Sequence, residues 1–153
     1  MSRANVLRHA ATSSRVLLGL TFLVFGLNGF LNFLPKPTNM PEGAAAFAGA
    51  LVKTGYMFPL LKGVEVASGA LLLSNRFVPL ALALLAPIVV NIVAFHAFLE
   101  PSGMPIAGLV LMLEIFLAWS YRDLFRPMLS ARTSITPLAP SEAHMGHAAG
   151  AHT

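Results

Sequence analysis

Four long apolar runs of this sequence are interrupted by side chains that could bind a ligand or move a proton. In chain order they are Asn28, Asn32, Lys62, Glu65, Asn91, His96 and Glu114. A charge in the middle of a membrane helix costs on the order of 2.5–3.5 kcal/mol on insertion scales, so each such group must be paired, protonated or used. Lys62 and Glu65 are spaced i, i+3 and can form an ion pair on one helix face.

Six of these residues are the candidate ligand-binding or proton-handling groups: Glu65, His96, Lys62, Asn28, Asn91 and Glu114. Histidine gains or loses a proton near neutral pH, so we expect His96 and Glu65 to orient or exchange protons. Lys62 is the available counter-charge for Glu65. Asn28 and Asn91 are expected to contribute hydrogen bonds. Which residues catalyse a reaction, if any do, is not predicted.

Structural roles are the alternative for the same residues. The pair Lys62 and Glu65 could only fix the register of two helices, and His96 could be an ordinary helix-end residue. Glu114 is the deepest carboxyl group, and we expect it to be neutral and hydrogen-bonded to an asparagine. The sequence leaves both interpretations open.

The composition places these groups in lipid. The chain has 153 residues, of which 56% are hydrophobic and 10% are charged, with a mean hydropathy of +0.74. Soluble domains carry roughly 25% charged residues, so a water-soluble globule is disfavoured. Cysteine is absent, which excludes disulfides, thiolate nucleophiles, cysteine-ligated metals and covalent sulfur transfer by the chain itself. The net charge of +4 comes from few basic residues beside apolar runs, so nucleic acid is not an expected partner.

Four segments are long and apolar enough to span a bilayer as helices, namely 16–34, 59–74, 77–99 and 104–121. We therefore predict an all-α fold, an integral membrane four-helix bundle over residues 1–129. The first segment could be read as a signal peptide, but its apolar run is longer than the usual ~7–15 residues. Residues 130–153 are predicted to form a disordered tail, whose His144, His147 and His152 are weak metal-binding candidates. No other metal site is expected.

Basic residues predict the orientation, because lysine and arginine are retained on the cytoplasmic side. The arginines before the first span, between the second and third spans and after the fourth span fall on one side of the membrane. They are Arg3, Arg8, Arg15, Arg76, Arg122, Arg126 and Arg132. Both termini are therefore expected to be cytoplasmic. The long first outer loop, 35–58, is expected to contain a short interfacial helix.

The depth of the polar residues indicates a pocket. At ~1.5 Å rise per residue, all of them fall in the outer half of the membrane or at its midplane. The inner half is almost entirely aliphatic residues and glycine. A polar pocket that opens to the outer side would have this distribution.

Four runs resemble the DoxX family of small four-helix bacterial membrane proteins. They are RVLLGLTFLVFGLNGF at 15–30, LLKGVEVASGALLL at 60–73, RFVPLALALLAPIVVNIVAFH at 76–96 and WSYRDLF at 119–125. The family's span-two glutamate and trailing glycine fall on Glu65 and Gly69, and its span-three histidine falls on His96. A span-one lysine common in the family is replaced here by Asn28 and Asn32.

The resemblance implies a multi-pass protein of the bacterial inner membrane, and some relatives are associated with quinone-linked sulfur oxidation or membrane oxidoreductase complexes. The first hypothesis is therefore a redox-associated subunit that holds a small lipophilic or sulfur/quinone-type ligand. No haem-ligand pair, flavin motif or cluster signature occurs in the spans, so electrons would come from a partner.

Two other functions are kept open. One is a non-catalytic assembly or stabilising subunit of a larger membrane complex. The other is a small permease, less favoured because no inverted repeat is visible. The expected partners are the bilayer and either a membrane protein or a second copy of the chain. A quinone is the one cofactor suggested, and an enzymatic activity, if any, would be that of a membrane oxidoreductase complex.

Overall fold

The protein is all-helical wherever the computed structural model describes it, which is residues 2–35 and 39–127. This part of the chain contains no β-strand. Its helices are α1 (Arg3–Leu31), α2 (Glu42–Lys53), α3 (Met57–Leu73), α4 (Val78–Phe98), α5 (Met104–Ser120) and α6 (Arg122–Phe125), with a short 3₁₀ helix at Pro101–Gly103 before α5. The predicted tail, with His144, His147 and His152, lies outside the described residues.

Three stretches are long and apolar enough to cross a membrane: Ala4–Leu31, Val78–Phe98 and Pro101–Ser120. A fourth candidate is α3, which qualifies together with α2 although the two helices are bent by 92° at their junction. The prediction of an all-α protein is confirmed, and three to four helices or helix pairs are long and apolar enough to span a membrane. The four predicted spans fall on α1, α3, α4 and α5.

Large apolar side chains on the outside of the molecule agree with a lipid environment. Val90 of α4 is 64% exposed, and Met112 and Ile115 of α5 are 69% and 60% exposed. Soluble monomers rarely expose contiguous apolar surface of this kind, because contact with water disfavours it.

Helix α1 begins at Arg3, well before the apolar run that was predicted to start near Val16. Ser2 caps it, since its hydroxyl oxygen accepts a hydrogen bond from the Asn5 N–H at 3.4 Å. Residues 3–15 include three alanines and three arginines, which favour helix without being continuously apolar. Hydropathy locates a membrane span, whereas propensity and capping determine where the helix starts.

The four long helices pack in the cyclic order α1, α3, α4, α5, with α5 returning to contact α1. The close approach of α1 and α3 depends on glycine. A Cβ on Gly69 would lie 2.7 Å from the Leu23 backbone nitrogen and 2.9 Å from the Gly19 carbonyl oxygen. Small residues at such positions allow helix backbones to pack directly against each other in lipid.

Short connections join α3 to α4 and α4 to α5, so each of these pairs runs antiparallel. Helix α1 is antiparallel to α3 as well, because Gly19 faces Leu72 and Gly29 faces Lys62. We call the end that carries α2 and the 3₁₀ helix the α2 end, and the opposite end, where α1 starts and α5 stops, the terminal end. Near the terminal end, four leucines from the four helices are fully buried. This leucine layer consists of Leu18, Leu72, Leu85 and Leu117.

Arg15 is buried beside the leucine layer and is 8% exposed. Its guanidinium donates hydrogen bonds to the carbonyl oxygens of Leu72 and Leu73 in the last turn of α3. The last carbonyls of a helix lack intrahelical partners, and a cation there also complements the helix dipole. Arg15 therefore ties α1 to the end of α3.

A short helix does form in the first loop, where one was predicted, and it is α2. Gly55, at φ 76°, makes the turn that separates α2 from α3. The ring of Phe47 on α2 lies 5.7 Å from the ring of Phe95 on α4, measured between centroids. Helix α2 thus folds back across the ends of the long helices and covers the space between them.

Candidate ligand pocket at the α2 end

A cavity of about 320 Å³ lies between the helices at the α2 end. Its walls are mainly apolar, and aromatic rings come from four different helices. These rings belong to Phe22, Phe25, Phe47, Phe58 and Phe95. Helix α5 completes the wall with aliphatic side chains. The predicted polar pocket in this half of the molecule is thus a largely hydrophobic cavity with a few polar groups.

Four of the six candidate site residues line this cavity: Lys62, Glu65, Asn91 and His96. They come from two neighbouring helices, α3 and α4. Thr21 of α1 also lines the cavity and was not singled out from the sequence; its hydroxyl donates to the Leu17 carbonyl at 2.9 Å. Asn28 and Glu114 are not among the lining residues.

Lys62 and Glu65 form an ion pair in the cavity wall. Lys62 Nζ lies 2.8 Å from Glu65 Oε2 and 3.1 Å from Oε1, so the ammonium group bridges both carboxylate oxygens. The Glu65 side chain is 4% exposed and that of Lys62 is 18% exposed. Lys62 Nζ is also 5.8 Å from the centroid of the Phe58 ring, a distance at which a cation is attracted to an aromatic face.

His96 is paired with Glu100 and not with Glu65. Its Nδ1 lies 2.9 Å from the Glu100 carbonyl oxygen and 3.0 Å from Glu100 Oε2. When Nδ1 carries the proton and donates to Glu100, Nε2 presents a lone pair. The imidazole is therefore held by the loop between α4 and α5 through one nitrogen, and the other is the one that a ligand could use.

The Glu100 carboxylate accepts hydrogen bonds from several donors just before the start of α5. Hydrogen bonds from the Ser102 hydroxyl, from the Gly103 N–H and from His96 hold the pKa of Glu100 below its usual range. The Gly103 bond to Oε2 is 3.1 Å long. A Cβ at Gly103 would collide with the His96 ring, so glycine is needed for this arrangement.

Asn91 and His96 lie on opposite edges of one face of α4. They are five residues apart and so are separated by about 140° around the helix. The sequence alone therefore does not show whether both face the same cavity. Ile88, Ile92 and Phe95 fall between them on the same face, and all five residues line the cavity. The cavity is wide enough to contact this whole arc of α4.

Asn28 has a structural partner instead. Its Oδ1 accepts a hydrogen bond of 2.7 Å from the Leu34 N–H, just beyond the end of α1. Asn32, next along the same face, is the left-handed residue that ends the helix, at φ 50°. Asparagine tolerates this conformation, so Asn28 through its side chain and Asn32 through its backbone shape the exit from α1.

Glu114 is buried in α5, with 6% of its surface exposed. Neither of its carboxyl oxygens has a hydrogen-bond partner among the described residues. The expected bond to an asparagine is therefore not formed. Asn28 is engaged by the backbone at the α2 end, and Asn91 lies on the cavity wall.

No family model, curated protein or solved structure matches the chain. The resemblance to the DoxX family stays a prediction that rests on the four sequence runs. Within residues 2–35 and 39–127, no group of three or more histidine, cysteine, aspartate or glutamate side chains could hold a metal ion.

Three residues of the site, Thr21, Phe47 and Glu100, were not singled out from the sequence. Phe47 falls in the helix that was predicted for the first loop, and it also covers the cavity. The i, i+4 spacing of Glu100 from His96 is the signal that could have revealed that pair.

Proposed function

We propose that this chain is a DoxX-like protein of the bacterial inner membrane, a redox-associated subunit that holds a small lipophilic ligand of the quinone or sulfur type. The observation that carries the proposal is the combination, in one cavity, of aromatic walls with the Lys62–Glu65 pair on α3 and Asn91 and His96 on α4. In this proposal α1, α3, α4 and α5 form a four-helix bundle. Its termini are cytoplasmic and its α2 end faces the outer side.

The size of the cavity supports a small ligand. Its volume of about 320 Å³ is near the lower end of the ~300–1,000 Å³ typical of ligand pockets, which suits one substituted ring. Three lining residues, Phe25, Asn91 and Ile106, are themselves exposed, so the cavity reaches the outside of the helices. An apolar tail attached to the ring can leave by this route into lipid.

The polar groups suit the carbonyl oxygens of a quinone. Lys62 and Asn91 can donate hydrogen bonds from two sides of the cavity. Reduction of a quinone to a quinol adds two electrons and two protons. Glu65 as a carboxylate and His96 through the lone pair of Nε2 are proton acceptors, so each first takes up a proton from water and then passes it to a quinone oxygen. The electrons come from a partner redox protein, because the spans carry no motif for a redox group of their own.

One observation favours a second function, a non-catalytic assembly subunit. The methylene carbons of Lys62 lie against Gly29 of α1, where an added Cβ would be 2.5 Å from Lys62 Cγ. The chain of Lys62 therefore also packs α3 against α1. In that role its loss would affect folding or assembly and not the binding of a ligand.

The test is equilibrium binding of a short-chain quinone to the full chain purified in mild detergent. We expect saturable binding by the wild type and at least about tenfold weaker binding by Glu65→Gln, equivalent to about 1.4 kcal/mol. Glu42→Gln is the matched control, since Glu42 is an exposed carboxyl on α2 outside the cavity lining. A wild type that binds no quinone, together with a Glu65→Gln variant that fails to accumulate, would favour the assembly role.

A further inference from the structure

Below the cavity, two buried polar side chains have no hydrogen-bond partner among the described residues. They are Ser68 of α3, which is fully buried, and Glu114 of α5, which is 6% exposed. Ser68 Oγ and both carboxyl oxygens of Glu114 are unpaired. Buried polar groups are almost always satisfied, so each of these two side chains calls for a function or for bound water.

Ser68 and Glu114 lie at the same depth. With a rise of ~1.5 Å per residue from the α2 end, Glu114 is roughly 15 Å along α5 and Ser68 roughly 17 Å along α3. Ile88, a lining residue of the cavity, is also roughly 15 Å from the end of α4. Both side chains are therefore level with the floor of the cavity.

Helical phase connects both residues with the cavity. Ala107 and Val110 of α5 line it, and Glu114 follows Val110 by four residues on the same helix face. On α3, Glu65 lines the cavity and Ser68 follows it by three residues. The two faces that form the cavity wall thus continue inward to Glu114 and Ser68.

The leucine layer closes the other side. Leu18, Leu85 and Leu117 are each roughly 20 Å from the α2 end, about one helical turn beyond Glu114. All are fully buried. The leucine layer therefore lies between Glu114 and the terminal end.

Within residues 2–35 and 39–127, no counter-charge is bonded to Glu114. The guanidinium of Arg15 on α1 is bonded to α3 carbonyls, and Lys62 on α3 is bonded to Glu65. On α4 the nearest ionisable side chain is His96, which pairs with Glu100 at the 3₁₀ helix. An ionised carboxylate without a partner is strongly disfavoured in an apolar interior, so the neutral acid is the form that this environment accommodates.

We propose that Glu114 and Ser68 form a proton site at the floor of the cavity. In this site the O–H bond of Glu114 breaks, its proton passes to a water held by Ser68 Oγ, and that water passes a proton to the cavity at Glu65. The reverse transfer restores the neutral acid. The site exchanges protons with one side only, and it does not depend on which ligand the cavity takes.

The test is labelling of the purified full chain with a hydrophobic carbodiimide, which reacts with protonated carboxyl groups, followed by peptide mass spectrometry. We expect Glu114 to be labelled at mildly acidic pH, ahead of the exposed Glu42 and Asp123. Above its titration midpoint, labelling should fall about tenfold per pH unit, as the protonated fraction does. In Ser68→Ala, labelling of Glu114 should change more slowly after a change of pH, without loss of folded protein. Glu114→Gln should abolish the label.

Three results would overturn the proposal. Labelling of Glu114 that is unchanged from acidic to alkaline pH would mean a permanently neutral, structural acid. Labelling that falls with added Na⁺ at constant pH would identify a cation site instead. An unlabelled Glu114 beside a labelled Glu65 would show that the site holds no exchangeable proton. None of these readouts involves quinone binding, so the proton site and the proposed ligand pocket can fail separately.

Discussion

Lys62 Nζ lies 2.8 Å from Glu65 Oε2 within α3, while the methylene carbons of Lys62 lie against Gly29 of the neighbouring helix α1. An i, i+3 ion pair on an exposed helix contributes little, because water solvates both charges. Here the carboxylate is almost fully buried, and the adjacent helix restricts the lysine chain. Removal of one partner of the pair therefore lowers the free energy of unfolding more than removal of both.

Lys62→Met should destabilise the protein by about 3 kcal/mol, the lower end of the range for one partner of a buried pair. The lower end applies because the ammonium group is partly exposed. The free energy of unfolding in mixed micelles measures the effect. The double variant with Glu65→Gln should recover part of the loss, since no charge is then left unpaired. A double variant less stable than Lys62→Met would contradict this explanation.

Gly29→Ala should weaken binding of a quinone in the cavity without preventing folding. The added Cβ would be 2.5 Å from Lys62 Cγ and 2.7 Å from Cδ, and a flexible lysine chain can move away. The ammonium group then leaves its position beside Glu65. We expect about tenfold weaker binding, measured by titration.

Gly108→Ala is the matched control for Gly29→Ala, because a Cβ at Gly108 meets nothing within 4 Å. The affinity of Gly108→Ala for the quinone should equal that of the wild type. Equal affinities of the two variants would show that the position of Lys62 does not matter for binding.

Gly69→Ala and Gly63→Ala, both on α3, should change stability in opposite directions. The Cβ at Gly69 would meet backbone atoms of α1, which cannot move without separating the helices. Such overpacking costs roughly 1–3 kcal/mol. The Cβ at Gly63 meets nothing within 4 Å, and alanine favours helix by up to about 1 kcal/mol. Melting temperatures in detergent should therefore fall for Gly69→Ala and rise for Gly63→Ala.

The positions of the long helices were predictable because the apolar runs that span lipid are long and continuous. Predicted spans at 59–74, 77–99 and 104–121 differ by only a few residues from α3, α4 and α5. Helix α1 was underestimated because its first half is helical without being apolar. The i, i+3 spacing of Lys62 and Glu65 was enough to predict that they could pair.

The partners of the other polar residues were not predictable, because they depend on where a helix ends and on what faces it. Asn28 bonds to the backbone beyond α1, a geometry set by the left-handed Asn32. His96 bonds to Glu100 because the chain turns there into the 3₁₀ helix. Among the described residues Glu114 has no hydrogen-bond partner, and depth along a single helix does not reveal this.

Glu100→Gln should lower stability at neutral pH but not in acid. The hydrogen bonds from Ser102, Gly103 and His96 hold the pKa of Glu100 below its usual range in the folded protein. A carboxyl group of this kind stabilises the fold above its ordinary pKa of about 4.3, and this contribution is lost as the pH falls through the lowered value. Melting temperatures of variant and wild type should therefore differ at neutral pH and converge in acid.

Glu42→Gln is the control for Glu100→Gln, since it removes one negative charge elsewhere at the same end of the molecule. If the melting temperature of Glu100→Gln stays equally far below that of the wild type in acid, the cause is lost packing and not the loss of an ionised group.

The leucine layer also has an electrical consequence. A proton that travels from the α2 end to Glu114 crosses roughly half of the hydrocarbon thickness and stops there, because the layer blocks the rest of the path. Moving one charge across a whole membrane is worth about 2.3 kcal/mol per 100 mV, so half the path is worth about 1 kcal/mol. In the proposed proton site, occupancy of Glu114 by a proton would therefore respond to membrane voltage as well as to pH, although no charge would pass from one side of the membrane to the other.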